Sequence, residues 1–236
     1  MTLQIETLPT PDHWADSIAE RLVATLARAL EVQERALFAG AGGTTPAPIY
    51  HRMARTDLDW SRVALTLVDE RYVPETSPDS NAAAMKRDLM TGAASKASFI
   101  PLYSPAVTVD RAASLAAQSL SRVAPRIDAV LLGMGEDGHI CSMFPQSPTL
   151  KTLLTPTLAP SVLGVPQGRD GLAPSMERLS MNLAYLVQAR QVVLALKGSA
   201  KRAVFEREAL GDPATQPIAA LLAANVALDV VWTEAA

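Results

Sequence analysis

The chain has 236 residues, of which 49% are hydrophobic and 19% are charged, and its formal net charge is −3. This composition is typical of a globular protein and argues against a disordered chain. Because no block of basic residues is present, we expect no general binding of nucleic acid. The single cysteine, Cys141, excludes an internal disulfide.

Neither a secretion signal nor a membrane span is expected. Residues 1–6 lack the basic region and apolar core of a signal peptide. No apolar stretch reaches the roughly 18 residues needed to cross a bilayer. We therefore expect a cytoplasmic protein, a monomer or weak homodimer, whose partner is a small molecule rather than nucleic acid or a membrane.

Helices and strands are predicted to alternate along the chain. Apolar residues at helical spacing predict helices at 12–34, 46–54, 81–90, 110–122, 199–210 and 217–224. Short apolar runs predict strands at 36–40, 63–68, 129–132, 191–196 and 226–232.

Two further segments have weaker patterns. The stretch 145–174 is rich in proline and glycine, which predicts long loops with room for one short strand. In 178–186 apolar and polar residues alternate, which favours a half-exposed strand, with a helix as the alternative. The whole pattern predicts an α/β protein with one domain over residues 1–236. We expect a Rossmann-like three-layer fold with a mostly parallel sheet between helices.

A glycine-rich loop, Ala41-Gly42-Gly43-Thr44-Thr45-Pro46, follows the predicted strand 36–40. Gly42 and Gly43 free backbone N–H groups, Thr44 and Thr45 add hydroxyl donors, and the next helix adds its positive end. Together these features predict an anion site suited to phosphate. The glycine spacing matches neither a dinucleotide fingerprint nor a Walker loop. The alternative is a tight turn in which Thr45 caps the helix.

A charged segment, Asp69-Glu70-Arg71-Tyr72-Val73-Pro74, follows the predicted strand 63–68. Asp69 and Arg71 project to the same side of an extended backbone. One could orient a group or accept a proton while the other holds an anion. The alternative is an acid–base pair at a strand end, followed by a helix N-cap at Ser80 or Asn81.

The turn at residues 133–139, Gly-Met-Gly-Glu-Asp-Gly-His, follows the predicted strand 129–132. Its glycines allow a sharp bend and close approach to a ligand, and ligands bind at the carboxyl ends of strands in such sheets. His139 suits general acid–base chemistry near neutral pH, and Asp137 could hold one of its ring nitrogens. The alternative is a polar turn in which His139 caps local backbone. A nucleophilic pair of Cys141 with His139 is conceivable, but an inert buried thiol is favoured.

Two cations complete the candidate site. Lys201 is predicted in the first turn of helix 199–210, where a cation is unfavourable unless an anion lies nearby. Arg178 begins its segment after the proline-rich loops. Each could equally be an ordinary solvated charge. His13 and His51 are given no role, and because the histidines lack metal-ligand spacing no metal site is expected.

In this order the motifs resemble the 6-phosphogluconolactonase family, along essentially the whole chain. The residues that carry the resemblance are those of 41–46, 69–74 with Ser80-Asn81, and 133–139 with Phe144-Pro145. Glucosamine-6-phosphate deaminases share the fold and a similar phosphate loop. Their second motif has tyrosine where Arg71 stands here, and their histidine motif continues with Asn-Glu-Pro where residues 142–145 read Ser-Met-Phe-Pro. Ile140 and Cys141 stand where threonine and alanine are common in the lactonases.

The resemblance implies hydrolysis of 6-phospho-D-glucono-1,5-lactone to 6-phospho-D-gluconate in the oxidative pentose phosphate pathway. It implies that His139 activates a water molecule, that Asp137 orients His139, and that no cofactor, metal or covalent nucleophile is required. Arg71 and backbone N–H groups of the glycine turns would stabilise the oxyanion, although Arg71 could bind phosphate instead.

The resemblance also implies a substrate site around these groups. Its predicted members are Gly42, Gly43, Thr44, Thr45, Asp69, Gly135, Arg178 and Lys201. Three alternatives stay open, namely a sugar-phosphate deaminase or isomerase, a sugar-phosphate-sensing module without activity, and an inactive homologue.

Overall fold

The computed structural model describes residues 4–106, 108–123 and 126–234. The expectation about a secretion signal concerns residues 1–6, of which residues 1–3 lie outside the described part. Within the described residues, no helix is both long and apolar enough to cross a membrane.

Strands and helices alternate along the described chain. The strands are β1 (Ile5–Leu8), β2 (Ala36–Gly40), β3 (Val63–Leu67), β4 (Asp69–Arg71), β5 (Ser98–Phe99), β6 (Ala129–Leu132), β7 (Val162–Val165), β8 (Arg178–Met181), β9 (Gln191–Lys197) and β10 (Leu228–Thr233). The α-helices are α1 (Pro11–Val32), α2 (Ala47–Met53), α3 (Asn81–Asp88), α4 (Val109–Ser121), α5 (Leu150–Leu154), α6 (Leu183–Gln188), α7 (Ser199–Glu208) and α8 (Pro217–Ala223). Short 3-10 helices occupy Trp60–Arg62 and Gly92–Lys96.

The main sheet is parallel throughout, with strand order β1-β10-β9-β6-β2-β3-β5. Every residue of β2, β3 and β6 is buried. Because successive side chains of a strand point to opposite faces, both faces of the sheet must be covered. Helix α1 packs across β2, β6, β9 and β10, and the buried indole of Trp14 donates a hydrogen bond to the carbonyl of Val231 at 3.1 Å. The predicted three-layer α/β fold is confirmed.

A second, antiparallel sheet has the order β4-β8-β7. It joins the main sheet at Val68, whose N–H donates to the carbonyl of Gly40 at 3.0 Å. The carbonyl of Val68 in turn accepts from the N–H of Met181 at 2.9 Å. In this small sheet Arg71 lies directly opposite Arg178.

The prediction for residues 178–186 was confirmed only in part. A strand, β8, runs from Arg178 to Met181, and a helix, which was the alternative, begins at Leu183. The strand is not half-exposed, because Ser180 is buried as well as Leu179 and Met181, and α4 packs against β7 and β8. The proline-rich stretch does contain one short strand, β7, but it also contains the unpredicted helix α5.

The loops singled out in the sequence meet at one edge of the main sheet. Strands β2, β3, β6 and β9 are parallel neighbours, so the segments that follow them leave from the same edge. The chain passes from β2 to β3 on one side and from β6 to β9 on the other. The crevice between β2 and β6 is therefore a topological switch point, where ligands bind in open α/β sheets.

Candidate active site

A pocket of about 280 Å³ lies at this switch point. Its lining residues are Ala41, Gly42, Gly43, Thr44, Thr45, Val68, Asp69, Arg71, Asn81, Gly133, Met134, Gly135, His139, Cys141, Arg178 and Lys201. Larger hollows of about 730 and 1190 Å³ lie beside β10. These two hollows contain none of the predicted site residues, so the smaller pocket is the candidate active site.

The pocket brings together every predicted site residue except Asp137. Asp137 lies behind His139, and one of its carboxylate oxygens, Oδ1, is 2.5 Å from Nδ1 of the His139 ring. The same oxygen accepts a hydrogen bond from the backbone N–H of His139 at 3.2 Å. The structure thus places Asp137 against the histidine rather than against the pocket.

The protonation of this pair follows from its electrostatics. Partial burial raises the pKa of Asp137, but the hydrogen bond and charge of His139 outweigh burial, and the pKa lies below its usual value. The carboxylate is therefore ionised at neutral pH and can only accept a hydrogen bond. In the neutral imidazole of His139, Nδ1 then carries the proton that faces Asp137, and Nε2 keeps a free lone pair. This arrangement suits a general base.

The glycine turn shapes the space around the histidine. The N–H of Gly135 donates to the carbonyl of His139 at 2.9 Å, and the N–H of Gly138 donates to the carbonyl of Gly135 at 3.1 Å. Gly138 has a φ of +86°, which favours glycine. A Cβ atom on Gly135 would stand 2.3 Å from the His139 ring and 2.6 Å from Asp137. The N–H of Gly135 is already bonded to the carbonyl of His139 and is not free to bind a ligand. The lack of a side chain at Gly135 leaves the space that the His139–Asp137 pair needs.

The ring of Phe144 packs against the ring of His139. Its ring centroid lies 4.2 Å from that of His139, and the guanidinium carbon of Arg178 lies 5.7 Å from the same phenyl centroid. The phenyl ring thus contacts both the candidate base and a candidate anion-binding residue.

Arg71 and Arg178 form a cross-strand pair at the pocket. Burial is the main reason why the pKa of Arg178 is lowered; the nearby charge of Arg71 acts in the same direction, and Asp69 opposes both. Arg71 donates from one terminal nitrogen to the carbonyl of Asp79 at 2.5 Å, while the Nε atoms of both arginines are buried without a partner. Like charges directly opposite in a sheet are destabilising. A bound anion would relieve this repulsion and satisfy both donors.

The glycine-rich loop after β2 lines the same pocket as these arginines. Its start is held by Tyr50, whose hydroxyl donates to the carbonyl of Ala41 at 2.7 Å. Gly43 has a φ of +81°. Thr45 is not a helix cap, because the N-cap of α2 is Pro46 and no side chain bonds to this helix end. The alternative interpretation of Thr45 is therefore wrong.

Among the hydrogen bonds of the described residues, none is donated by the backbone N–H of Gly43, Thr44 or Thr45. These groups are therefore available to an anion. Lys201 lies in the first turn of α7, as predicted, and its side chain lines the same pocket.

Glu70 is a structural residue that the sequence did not single out. Its buried carboxylate accepts from the backbone N–H groups of Arg71, Asn81 and Ala82 at 2.7–2.8 Å, and from the hydroxyl of Ser80 at 3.2 Å. Burial raises the pKa of Glu70, and these hydrogen bonds partly offset that effect. Ser80 is the N-cap of α3, as one alternative predicted, but no local signal indicated that Glu70 would bind the same helix start.

Asp69 links the second and third motifs. Its carboxylate accepts from the hydroxyl of Ser142 at 2.6 Å, and the N–H of Ser142 donates to the hydroxyl oxygen of Ser180 at 3.1 Å. Burial and the charge of Asp69 hold the pKa of the Cys141 thiol well above its usual value. Cys141 is therefore a neutral thiol, which favours the inert interpretation. Among the described residues, no group of three or more His, Cys, Asp or Glu side chains is placed to hold a metal ion.

Comparisons with known proteins agree with this architecture. A 6-phosphogluconolactonase of Caulobacter vibrioides is 39% identical over 233 residues, which are 98% of each chain. A 6-phosphogluconolactonase of Pseudomonas putida is 40% identical over 221 residues, covering 92% of this chain and 86% of that protein. The crystal structure of a 6-phosphogluconolactonase from Shewanella baltica superimposes with a TM-score of 0.89 at 31% identity, over 97% of each chain.

A monomeric glucosamine-6-phosphate deaminase also superimposes, with a TM-score of 0.78 over 98% of this chain and 97% of the deaminase. At 15% identity this likeness shows the fold alone. Residues 9–232 match the family described as glucosamine-6-phosphate isomerases/6-phosphogluconolactonase. The family match covers most of the chain, and the alignment with the Caulobacter vibrioides relative covers 98% of both proteins. The protein therefore belongs to the glucosamine-6-phosphate isomerase/6-phosphogluconolactonase family.

Proposed function

We propose that this protein hydrolyses 6-phospho-D-glucono-1,5-lactone to 6-phospho-D-gluconate. The observation that carries the proposal is the His139–Asp137 pair at the rim of a pocket that also contains Arg71, Arg178 and Lys201. The same pocket supplies a base and cations for a phosphate. The named activity of the relatives at 39% and 40% identity supports the same substrate.

The chemical step needs one base and one group that stabilises negative charge. Nε2 of His139 takes a proton from a water molecule while the water oxygen attacks the lactone carbonyl carbon. Asp137 stabilises the resulting imidazolium. The tetrahedral oxyanion then collapses, the bond between the carbonyl carbon and the ring oxygen breaks, and His139 returns the proton to that oxygen. The new carboxylic acid loses its proton to solvent, which gives the open-chain product.

The binding roles follow from which donors are free. The N–H groups of Gly43, Thr44 and Thr45 and the charges of Arg178 and Lys201 are assigned to the phosphate. Arg71 lies next to Arg178 and is assigned to the oxyanion, where a positioned donor in a desolvated site acts most strongly.

The supporting residues of the site have different roles. Asp69 is assigned to substrate binding, because it lines the pocket. Gly135 keeps the space that the His139–Asp137 pair occupies.

The direct test compares enzymatic with spontaneous hydrolysis. Lactone freshly generated from glucose 6-phosphate should disappear faster with the protein than without it, and His139→Ala should lower kcat by roughly a hundredfold. His51→Ala is a matched control, because His51 also lies near a carboxylate, 3.5 Å from Asp88, but lies outside the pocket. Equal rates with and without the protein would refute the proposal, and near wild-type turnover in His139→Ala would refute the role of His139.

A sugar-phosphate deaminase is the competing activity on this fold. Incubation with glucosamine 6-phosphate followed by an ammonia assay should give no product above background. Ammonia release by a preparation that leaves the lactone untouched would reassign the function.

The proposal extends to how the protein works as a whole. Residues 1–236 are proposed to act as one domain, because the residues that line the pocket come from segments spread between positions 41 and 201. The protein is proposed to be a monomer or weak homodimer. A cytoplasmic location is proposed because the buried free thiol of Cys141 fits a reducing compartment. Analytical ultracentrifugation across a dilution series tests the oligomeric state.

A further inference from the structure

Buried polar atoms without a partner are concentrated at the pocket. Within the described residues, the pocket contributes Nε of Arg71, Nε of Arg178 and Oδ1 of Asn81 to this group. The two arginine nitrogens are donors, and the asparagine oxygen is an acceptor. A phosphate or a carbonyl oxygen can accept hydrogen bonds from the two arginine nitrogens. It cannot pair with Oδ1 of Asn81, because both atoms would then be acceptors.

The orientation of the Asn81 amide is fixed by its surroundings. Its Nδ2 donates to the backbone carbonyl of Asp69 at 3.0 Å. Turning the amide over would place its oxygen against that carbonyl oxygen, which is unfavourable. The amide also lies flat on Gly42, where a Cβ atom would come within 2.0–2.3 Å of it. Asn81 is only 2% exposed, and its oxygen is buried without a partner.

We propose that Oδ1 of Asn81 accepts a hydrogen bond from a hydroxyl group on the sugar ring of the bound lactone. Asn81 is then a specificity-determining residue that selects hydroxylated, phosphorylated lactones over deoxy analogues. The inference rests on the proposed lactonase function. It adds that the site recognises a ring hydroxyl group of the substrate. Discrimination arises because a deoxy analogue leaves a buried acceptor without a partner, which costs more than removing a hydrogen bond at a site open to water.

The test pairs a change in the enzyme with a change in the substrate. The 2-deoxy, 3-deoxy and 4-deoxy forms of the lactone are compared with the parent lactone for wild type and Asn81→Ala. Wild type should show kcat/KM lower by about tenfold to a hundredfold for the analogue that lacks the contacted hydroxyl. In Asn81→Ala the ratio of parent to that analogue should approach one. This ratio does not depend on the amount of active enzyme, so partial unfolding does not affect it.

Asn182→Ala is the matched control. Asn182 is also buried, and its Nδ2 donates to a backbone carbonyl, that of Ala159, at 2.9 Å, but it does not line the pocket. This variant should lose stability and keep the wild-type ratio. If Asn81→Ala does not fold, Asn81→Ser, whose shorter polar side chain withdraws the oxygen from this place, should likewise bring the ratio toward one.

Three results would contradict the inference. They are a wild-type enzyme that hydrolyses all deoxy lactones as fast as the parent, an Asn81→Ala variant that keeps the wild-type ratios, and an Asn81→Ser variant that keeps them. A wild-type enzyme without activity on the parent lactone would overturn the proposed function as well, so the two failures are distinguishable.

Discussion

Adding one methyl group at Gly135 should disable the candidate base without unfolding the protein. The Cβ of an alanine there would stand 2.3 Å from Nδ1 and Cε1 of His139 and 2.6 Å from Oδ1 of Asp137. Distances below 3.0 Å are not sustained by real Cβ atoms, and ordinary contact begins near 3.4 Å. The backbone at Gly135 does not have the positive φ found at Gly138, so the methyl group acts on the side chains rather than on the main chain.

The magnitude follows from the distance by which the ring must retreat. To reach ordinary contact, the imidazole must move by about 1 Å, and a misplacement of this size can cost about a hundredfold in rate. Gly135→Ala should therefore lower kcat by about that factor. The side chains of His139 and Asp137 are 26% and 42% exposed, so they can move outward at little cost in stability.

The assay is steady-state lactone hydrolysis, with thermal unfolding measured in parallel. Gly133→Ala is the matched control in the same turn, because a Cβ there meets only the Cβ of Ala41 at 4.0 Å. It should reduce kcat far less than Gly135→Ala does. If Gly135→Ala turns over like wild type, the His139–Asp137 geometry does not govern the reaction. If both variants lose activity equally, the clash is not the cause.

Two further variants test the surroundings of the site. Cys141→Ala should keep kcat near the wild-type value, because burial and the charge of Asp69 keep the thiol neutral; a loss as large as that of His139→Ala would restore the nucleophile hypothesis. Glu70→Gln should lower the free energy of unfolding by roughly 1–3 kcal/mol, because an amide NH₂ in place of one carboxylate oxygen would oppose the N–H donors that Glu70 binds, such as that of Ala82. Urea denaturation measures this loss, and an unchanged midpoint would show that the cluster does not stabilise the fold.

Patterns of apolar residues predicted five of the seven strands of the parallel sheet, but neither β1 nor β5. The predicted strands at 36–40 and 129–132 have the same bounds as β2 and β6, because buried parallel strands are continuous apolar runs bounded by turns. The antiparallel sheet was not predicted. Its strands have three or four residues, β4 is mostly charged, and β4 pairs with a segment more than 100 residues away, so no local pattern carries that pairing.

The residues of the site were accessible to sequence reasoning for a similar reason. Except for Arg178, which begins β8, they follow the carboxyl ends of strands that were themselves predictable, and all but Asp137 line one pocket. Asn81 and Glu70 were not assigned, because their importance depends on contacts between segments rather than on spacing. Asn81 was visible only as a candidate helix cap and as a member of the second motif, and its contact with Gly42 joins that motif to the first.

Val68 explains how these separate segments keep a common geometry. Its N–H binds the carbonyl at the end of β2, and its carbonyl binds the N–H at the end of β8. The glycine-rich loop begins directly after the first of these contacts, and the Arg71–Arg178 pair lies in the small sheet held by the second. Because Val68 is buried between these two backbone partners, the distance between the phosphate-binding loop and the arginines is set by main-chain hydrogen bonds. Substitutions on the rim of the pocket can therefore change the affinity for substrate without changing the spacing between its anion-binding groups.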